Sequence, residues 1–331
     1  MFKFILKRFT VMLVTLFLVS IIVFIVIKLP PGDYAERYAF KLSASGVNVN
    51  AAELSNLKHQ FGLDKPSYIQ YFVWIKNIIT KGNFGVSFQY QKPVTEVIGE
   101  RIVYTAILAL VTLLITYGLA IPIGIFSAVK QYSLGDYLST FMGYIGLGIP
   151  TFLMALVLLY VNVMVFGMNV GGLFSPEYAN AAWSSAKAMD LLKHIWIPAL
   201  VLGASGTAFQ IRTIRATLLD EKNKLYVTAA RAKGLSEFKT LMKYPVRVAL
   251  NPTVSTIGWE LSSIVSGAPI VALVLGLPDT GPLFLSSLLD QDMYLAGTML
   301  LLMSVLTILG TLLSDILLAI LDPRVRMGIN P

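Results

Sequence analysis

The sequence offers few places for bond-making chemistry. It has no cysteine and only two histidines, His59 and His194. Disulfides, thiolate metal sites and cysteine nucleophiles are therefore excluded, and a histidine-rich metal centre cannot be built. No catalytic triad, metal-ligand cluster or acid pair is spaced for catalysis, which argues against a membrane enzyme. A G-x-x-x-x-G-K-[ST] phosphate loop is missing, and Gly-Lys occurs nowhere. The informative residues lie instead in Tyr226–Pro252, YVTAARAKGLSEFKTLMKYPVRVALNP. This stretch is helix-prone and basic, and lies between apolar runs. Thr228, Ala229, Ala230 and Ala232 are small, so a partner surface can approach the backbone. Arg231 and Lys233 supply charge for steering and register. Gly234 can end a short helix in the left-handed conformation that is costly for residues with a Cβ, and Leu235 can then fold back as a hydrophobic contact. The chemistry is that of a handle gripped from outside the membrane.

Ionisable groups inside apolar runs form a second set. Glu260 follows Trp259 in one such run and Asp315 lies in another. Charges there are expensive and face a bundle interior or water. Glu260 reads either as a pathway-lining group beside Trp259 or as a hydrogen-bonded interhelical acid. Asp315 is close to one end of its run and reads as a structural ion-pair partner. Arg101 opens a span and either snorkels or pairs, and His194 beside Lys193 reads as interfacial.

Composition requires a bilayer to position these residues. Of 331 residues 56% are hydrophobic and 13% charged, against about 25% charged in soluble domains. A helix needs about 20 apolar residues to cross the hydrocarbon, and six segments qualify. They are about 9–28, a stretch within 102–129, a stretch within 137–167, about 195–212, about 248–275 and about 293–321. The first run is longer than the core of a cleaved signal and reads as a retained span. Six spans put both termini on one side. The 212–247 stretch has nine basic and three acidic residues, and Arg324 and Arg326 follow the last span. The loop after the fifth span has Asp279, Asp290 and Asp292 and no basic residue. That asymmetry, rather than nucleic-acid binding, accounts for the net charge of +8 and predicts cytoplasmic termini.

The chain thus divides into an N-terminal span (1–28), an extracytoplasmic segment (29–98), a five-helix core (99–321) with a cytoplasmic loop at 213–247, and a cytoplasmic tail (322–331). In the external segment, Ser67–Thr80 sets Tyr68, Tyr71, Phe72, Trp74, Ile75, Ile78 and Ile79 near one helical face. The stripe suits a helix at the membrane interface or a packed face of a small subdomain, and the two are compatible. Glycines and prolines punctuate the spans, including Gly118, Pro122, Gly124, Gly143, Gly146, Gly148, Pro150, Pro198, Gly203, Gly206, Gly267 and Pro269. They read as close-packing positions, with kinks near Pro122 and Pro150 as an alternative that would shape a pathway.

Thr228-Ala229-Ala230, three residues and then Gly234, with Pro252 eighteen residues further on, resembles the EAA loop of ABC importer permeases. Tyr226-Val227-Thr228 with Arg231-Ala232-Lys233-Gly234-Leu235 is similar to the dipeptide/oligopeptide/nickel subfamily. The first span with Leu29-Pro30-Pro31-Gly32-Asp33 resembles its B-type subunit. So do Phe61 to Pro66, Tyr71, Trp74, Gly82-Asn83-Phe84-Gly85-Val86-Ser87, Pro93-Val94, Arg101, Thr105 and Leu321 to Arg326. Thr228 stands in place of the usual Glu, Asn83 where Asp is common, and Tyr244-Pro245-Val246-Arg247 resembles a branch associated with oligosaccharides. The resemblance implies an all-α, six-span type I importer permease in a prokaryotic inner membrane, carrying dipeptides or oligopeptides, with oligosaccharides or nickel complexes as alternatives. It implies as partners a homologous C-type permease, two ABC ATPase subunits, an extracytoplasmic substrate-binding protein and membrane lipid, but no nucleic acid. ATP and Mg would bind the ATPases, with no cofactor on this chain. Thr228, Ala229, Ala230, Arg231, Lys233, Gly234 and Leu235 would form the coupling helix. An ion-coupled secondary carrier is the alternative of another class. Such carriers often show internal repeats, and none is visible here.

Overall fold

The computed structural model describes residues 2–29, 34–44, 50–60, 62–166 and 171–321. Pro30 to Asp33, Phe61, Gly167 and Asp322 to Arg326 lie outside the described residues. Among the described residues the regular secondary structure is helical, joined by turns and loops, with one isolated antiparallel bridge, Val86 to Pro93. In order the helices are α1 (Phe2–Lys28), α2 (Tyr34–Ala44), α3 (Ala51–Gln60), α4 (Ser67–Lys81), α5 (Val94–Ile98), α6 (Arg101–Val129), α7 (Leu134–Gly148) and α8 (Thr151–Phe166). There follow α9 (Pro176–Ala179), α10 (Ser185–Glu221), α11 (Leu225–Ala232), α12 (Glu237–Lys243), α13 (Pro245–Ser255), α14 (Ile257–Leu275), α15 (Thr280–Leu289) and α16 (Met293–Leu321).

Four helices, α1, α6, α10 and α16, are long and apolar enough to cross a membrane, and two bent helix runs raise the number to six if each counts once. The expected third span is broken. Its halves α7 and α8 meet at 110°. Pro150 supplies no N–H and pushes the residue before it out of the helical region; Ile149 is extended, at φ −93° and ψ 124°. Pro122 and Pro198, by contrast, lie inside α6 and α10, which continue past them. The expected fourth span, 195–212, is too short. Helix α10 runs 37 residues, about 55 Å at 1.5 Å per residue, because Ser184 caps it by accepting from the Lys187 N–H and nothing interrupts it before Glu221. The fifth span is likewise divided, with Glu237–Val265 bent by 50° from Pro269–Leu275. The 213–247 stretch, expected as a loop, is largely helical.

The described chain forms two compact units. The first comprises Met1–Met12, Tyr104–Pro278 and Leu306–Pro331. Here α10 is the central element, packed on α7, α8, α13 and α14. In its apolar window 67% of residues are buried, against 17–28% for the other three spanning helices. Small residues permit these approaches. A Cβ on Gly146 would stand 2.9 Å from the Ala204 carbonyl oxygen, and one on Gly124 would stand 2.9 Å from Ile214 Cβ. Gly118 and Gly148 have open space instead. Another close approach falls on glycines not singled out in the sequence: Gly258 of α14 faces Thr311 and Gly310 of α16. Arg8 of α1 pairs with Asp315 of α16 at 3.1 Å, the structural role expected for that acid.

The second unit comprises Leu13–Val103 and Asp279–Val305. Its core joins Val23 and Phe24 of α1, Tyr71 and Trp74 of α4, Phe88, and Met293 and Leu301 of α16. Tyr71 shares a 2.8 Å hydrogen bond with Ser20, and the Trp74 indole donates to the Phe84 carbonyl. The aromatic stripe therefore divides. Tyr71 and Trp74 are buried, Ile75 and Ile78 pack beside them, and Tyr68, Phe72 and Ile79 remain exposed. Asp292 begins α16 by accepting from the Leu295 N–H and also receives the Ser87 hydroxyl and the Gln89 N–H. The Gly82–Ser87 motif is thus a structural strap fastened to α16.

Candidate functional site

The surface most suited to a partner is built at the far end of α10. Glu221, the last residue of that helix, accepts from Lys224 and from the Tyr226 hydroxyl, which fixes the turn into α11. In α11, Val227 and Ala230 are buried. Positions three and four apart share a helix face, and the opposite face presents Leu225, Thr228, Ala229 and Ala232 to solvent. Leu225 is 87% exposed, a high value for leucine without a visible partner. Three of these four side chains are no larger than threonine, so a second protein could lie within backbone distance.

Gly234 stops the helix. Its φ is +80°, its N–H is bonded to the Arg231 carbonyl at 2.9 Å, and the Lys233 N–H to that of Ala229. No atom lies within 4 Å of where its Cβ would be, so glycine is required here for conformation and not for space. Leu235 is partly buried. Arg231 closes the turn with a two-point fork on Glu237 of α12, at 3.0 and 2.6 Å. The sequence suggested a charge aimed at a partner; in this structure it clasps α11 to α12.

Trp259 and Glu260, adjacent in sequence, are parted by helix geometry. Trp259 is 75% exposed and Glu260 8%. Glu260 Oε1 accepts from Gln210 Nε2 at 3.3 Å, and the same amide donates to Thr256 at 2.6 Å. The Tyr117 hydroxyl donates to the Thr253 carbonyl at 3.3 Å. The acid therefore belongs to a buried polar network linking α6, α10, α13 and α14. Gly206 makes room for it, since a Cβ there would stand 2.5 Å from Glu260 Oε2.

Sequence reasoning passed over other polar groups. Lys187 is 1% exposed. Its ammonium donates to the Ala181 carbonyl at 2.7 Å and sits 4.8 Å from the Phe174 ring and 5.4 Å from that of Trp183. Asp190 receives both the N–H and hydroxyl of Ser175, and buried His194 bonds the Asp190 carbonyl. Together they fasten the 171–184 segment to α10. A lysine amid aromatics in an otherwise sparsely charged stretch was the available signal. Arg215, counted above only as a loop charge, is bonded to Asp136.

A groove of about 510 Å³ runs between α6, α7, α8 and α10, lined by residues such as Ile115, Met142, Leu158 and Ala204. Ser139 and Thr207 are its only hydroxyl side chains, a lining unsuited to a hydrophilic solute.

Residues 120–327 match the family described as "Binding-protein-dependent transport system inner membrane component", and residues 1–109 match its N-terminal counterpart. The chain is similar to the oligopeptide transport system permease protein AppB of Bacillus subtilis (strain 168), 32% identical over 98% of this chain and 100% of the relative. It is also similar to a putative peptide permease protein of Brucella ovis, 32% identical over 99% and 100% of the two chains. The glutathione transport system permease protein GsiC of Escherichia coli (strain K12) is 29% identical over 98% and 99%.

Proposed function

The chain belongs to the family of binding-protein-dependent transport system inner membrane components, and from that premise we propose that it is the permease subunit of an ATP-driven importer for peptides, coupled through the exposed face of α11 to ATPases on separate chains. The observation that carries the reading is that face, whose small side chains point outward and whose far end is stopped by Gly234 at φ +80°. Thr228, Ala229 and Ala232 shape the contact and Lys233 sets its register, while Ala230 packs inward, Leu235 is partly buried behind the turn and Arg231 holds α11 against α12. A homologous permease completes the pathway, two ATPases hold ATP and Mg, and an external binding protein delivers substrate. ATPase closure draws the α11 surfaces together, and the bundle rocks between two states. The excess of basic residues near α11 supports its placement in the cytoplasm with both termini, and the Arg8–Asp315 contact supports the two chain ends lying on one side. The buried bonding of Glu260 favours an interhelical role over a pathway-lining one. Peptide as the substrate class rests on the relatives, which are named for oligopeptide, glutathione and peptide.

Two measurements test this. Purification of the tagged chain should bring along an ATPase with a phosphate-binding loop. Gly234→Asp should then leave membrane insertion intact and separate ATP hydrolysis from uptake. Wild-type uptake by that variant would end the coupling reading. Competition of uptake by oligosaccharides, and not by oligopeptides, would move the substrate class and leave the coupling reading in place.

A further inference from the structure

The first half of the broken third span is fastened to α10 beside the coupling surface. Asp136, in the first turn of α7, is 2% exposed. Arg215 of α10 grips it with two parallel bonds, Nε to Oδ1 at 2.8 Å and a terminal nitrogen to Oδ2 at 2.9 Å. The Ser127 hydroxyl and the Tyr132 N–H also donate to this carboxylate, so the α6–α7 turn and the start of α7 are held as one piece. Two turns beyond Arg215, just past the end of α10, the Lys222 ammonium donates to the Ala128 carbonyl at 2.9 Å. Between these grips, Thr217 donates to the Ala249 carbonyl, and Leu218 packs with Ala128, Val246 and Ala249. Helix α13, which follows the coupling surface, is thus fastened to the same stretch of α10.

From this arrangement we infer that Asp136 and Arg215 are positioning residues for transport: a joint, buried on its Asp136 side, that makes α7 move with the coupling surface. The inference rests on the coupling role proposed for α11. A two-point guanidinium–carboxylate bond fixes direction as well as distance. Asp136 is buried and Arg215 partly exposed, so losing the arginine's grip would strand the buried carboxylate, and rotation of α10 carries the α6–α7 turn with it. The 110° break at Ile149-Pro150 lets α7 follow without dragging α8 as a rigid extension. An apolar contact here would pack the helices but would let them slide.

The native chain contains no cysteine, so single spin labels can be placed at Asn223→Cys, beside the coupling surface, and at Phe141→Cys on the exposed side of α7. The labelled permease is assembled with cysteine-free partner subunits in nanodiscs, and its spectra are compared with and without ATP. Both labels should respond when Asp136 and Arg215 are present. In Arg215→Gln the 223 response should persist, while the 141 response and peptide uptake per ATP fall about tenfold, within the usual range of site-to-site coupling. A merely structural pair would weaken both responses together. An undiminished 141 response in Arg215→Gln, or none with the pair intact, overturns the joint. Silence at 223 with the pair intact overturns the coupling role of α11 instead. Should Arg215→Gln fail to assemble, Arg215→Lys keeps the charge and loses the fork; a reduced 141 response supports the joint and a full one refutes it.

Discussion

Gly258 of α14 and Thr311 of α16 leave no room between them for a methyl group. A Cβ on Gly258 would stand 2.5 Å from the Thr311 hydroxyl oxygen, 2.8 Å from its backbone nitrogen and 2.9 Å from its Cα. Two of these three are backbone atoms, which cannot swing aside. Across the contact Gly310 is confined too, though less tightly, its Cβ position 3.1 Å from the Gly258 Cα. Membrane helices gain no hydrophobic drive from one another, so such close approach is a principal source of their association.

Gly258→Ala is therefore expected to lower stability by about 1–3 kcal/mol, the usual range for overpacking. Gly118→Ala, at a position with open space, should be neutral or slightly stabilising. Thermal midpoints in detergent, read by fluorescence-detected gel filtration, compare the two. Equal midpoints would mean that α14 and α16 are not in contact in the membrane.

Much of this architecture was legible in the sequence, and the reasons for the rest are specific. Hydropathy finds apolar runs but not their continuity. It located 137–167 and offered a kink at Pro150 only as an alternative, because Pro122 and Pro198 sit in apolar runs of their own without ending a helix. Charge counting found the basic 212–247 stretch but treated Arg215 as a loop residue. The fork to Asp136 is a contact across 79 positions, invisible to local pattern. The same distance problem hid Gln210 from Glu260 and Thr311 from Gly258. The end of α11 was readable, because a glycine after a helical run carries its own conformational argument.

At Gly234 the space is open and only the backbone angle is demanding. Substitutions should therefore rank by tolerance of positive φ, with Asn closest to wild type and Ala and Val below it. The cost for a Cβ-bearing residue is about 1–2 kcal/mol, spent on α11 itself. Uptake per ATP hydrolysed is the readout. A flat ranking would show that this turn does not govern the coupling surface.

Asp279 gives a pH prediction outside the spans. It caps α15 by accepting from the Gly281 N–H at 3.0 Å and is fully buried, with Oδ2 accepting no hydrogen bond. Burial pushes its carboxyl up to about 6, against the opposing pull of the Gly281 N–H and of Arg101. The folded state thus holds this proton more tightly than the unfolded chain. The stability it contributes is full below the ordinary aspartate range and is lost as pH rises through about 6. Asp279→Asn keeps a capping oxygen and removes the titration. Melting from pH 4.5 to 7.5 should show wild type losing ground to the variant as pH rises. Parallel curves would refute the assignment.

The Arg8–Asp315 pair is half open on the arginine side, with side-chain exposures of 43% and 16%, so its coupling should be modest, about 1 kcal/mol. Arg8→Leu and Asp315→Leu alone should each lower the thermal midpoint. Together they should recover part of the loss, because no charge is then stranded. An additive double variant would show that the two residues do not interact.

Helix α10 carries the lysine–aromatic clasp near its first turn and the Arg215 fork near its last. About 55 Å of uninterrupted helix is nearly twice the thickness of the hydrocarbon layer, so this single rod protrudes into water and reaches the neighbourhoods of both events it would have to synchronise. In the proposed importer, a tilt imposed at one tip would be felt at the tip beside α11 without any relay of small side-chain adjustments. Flexure would concentrate at Pro198, where the backbone lacks one of its own rungs.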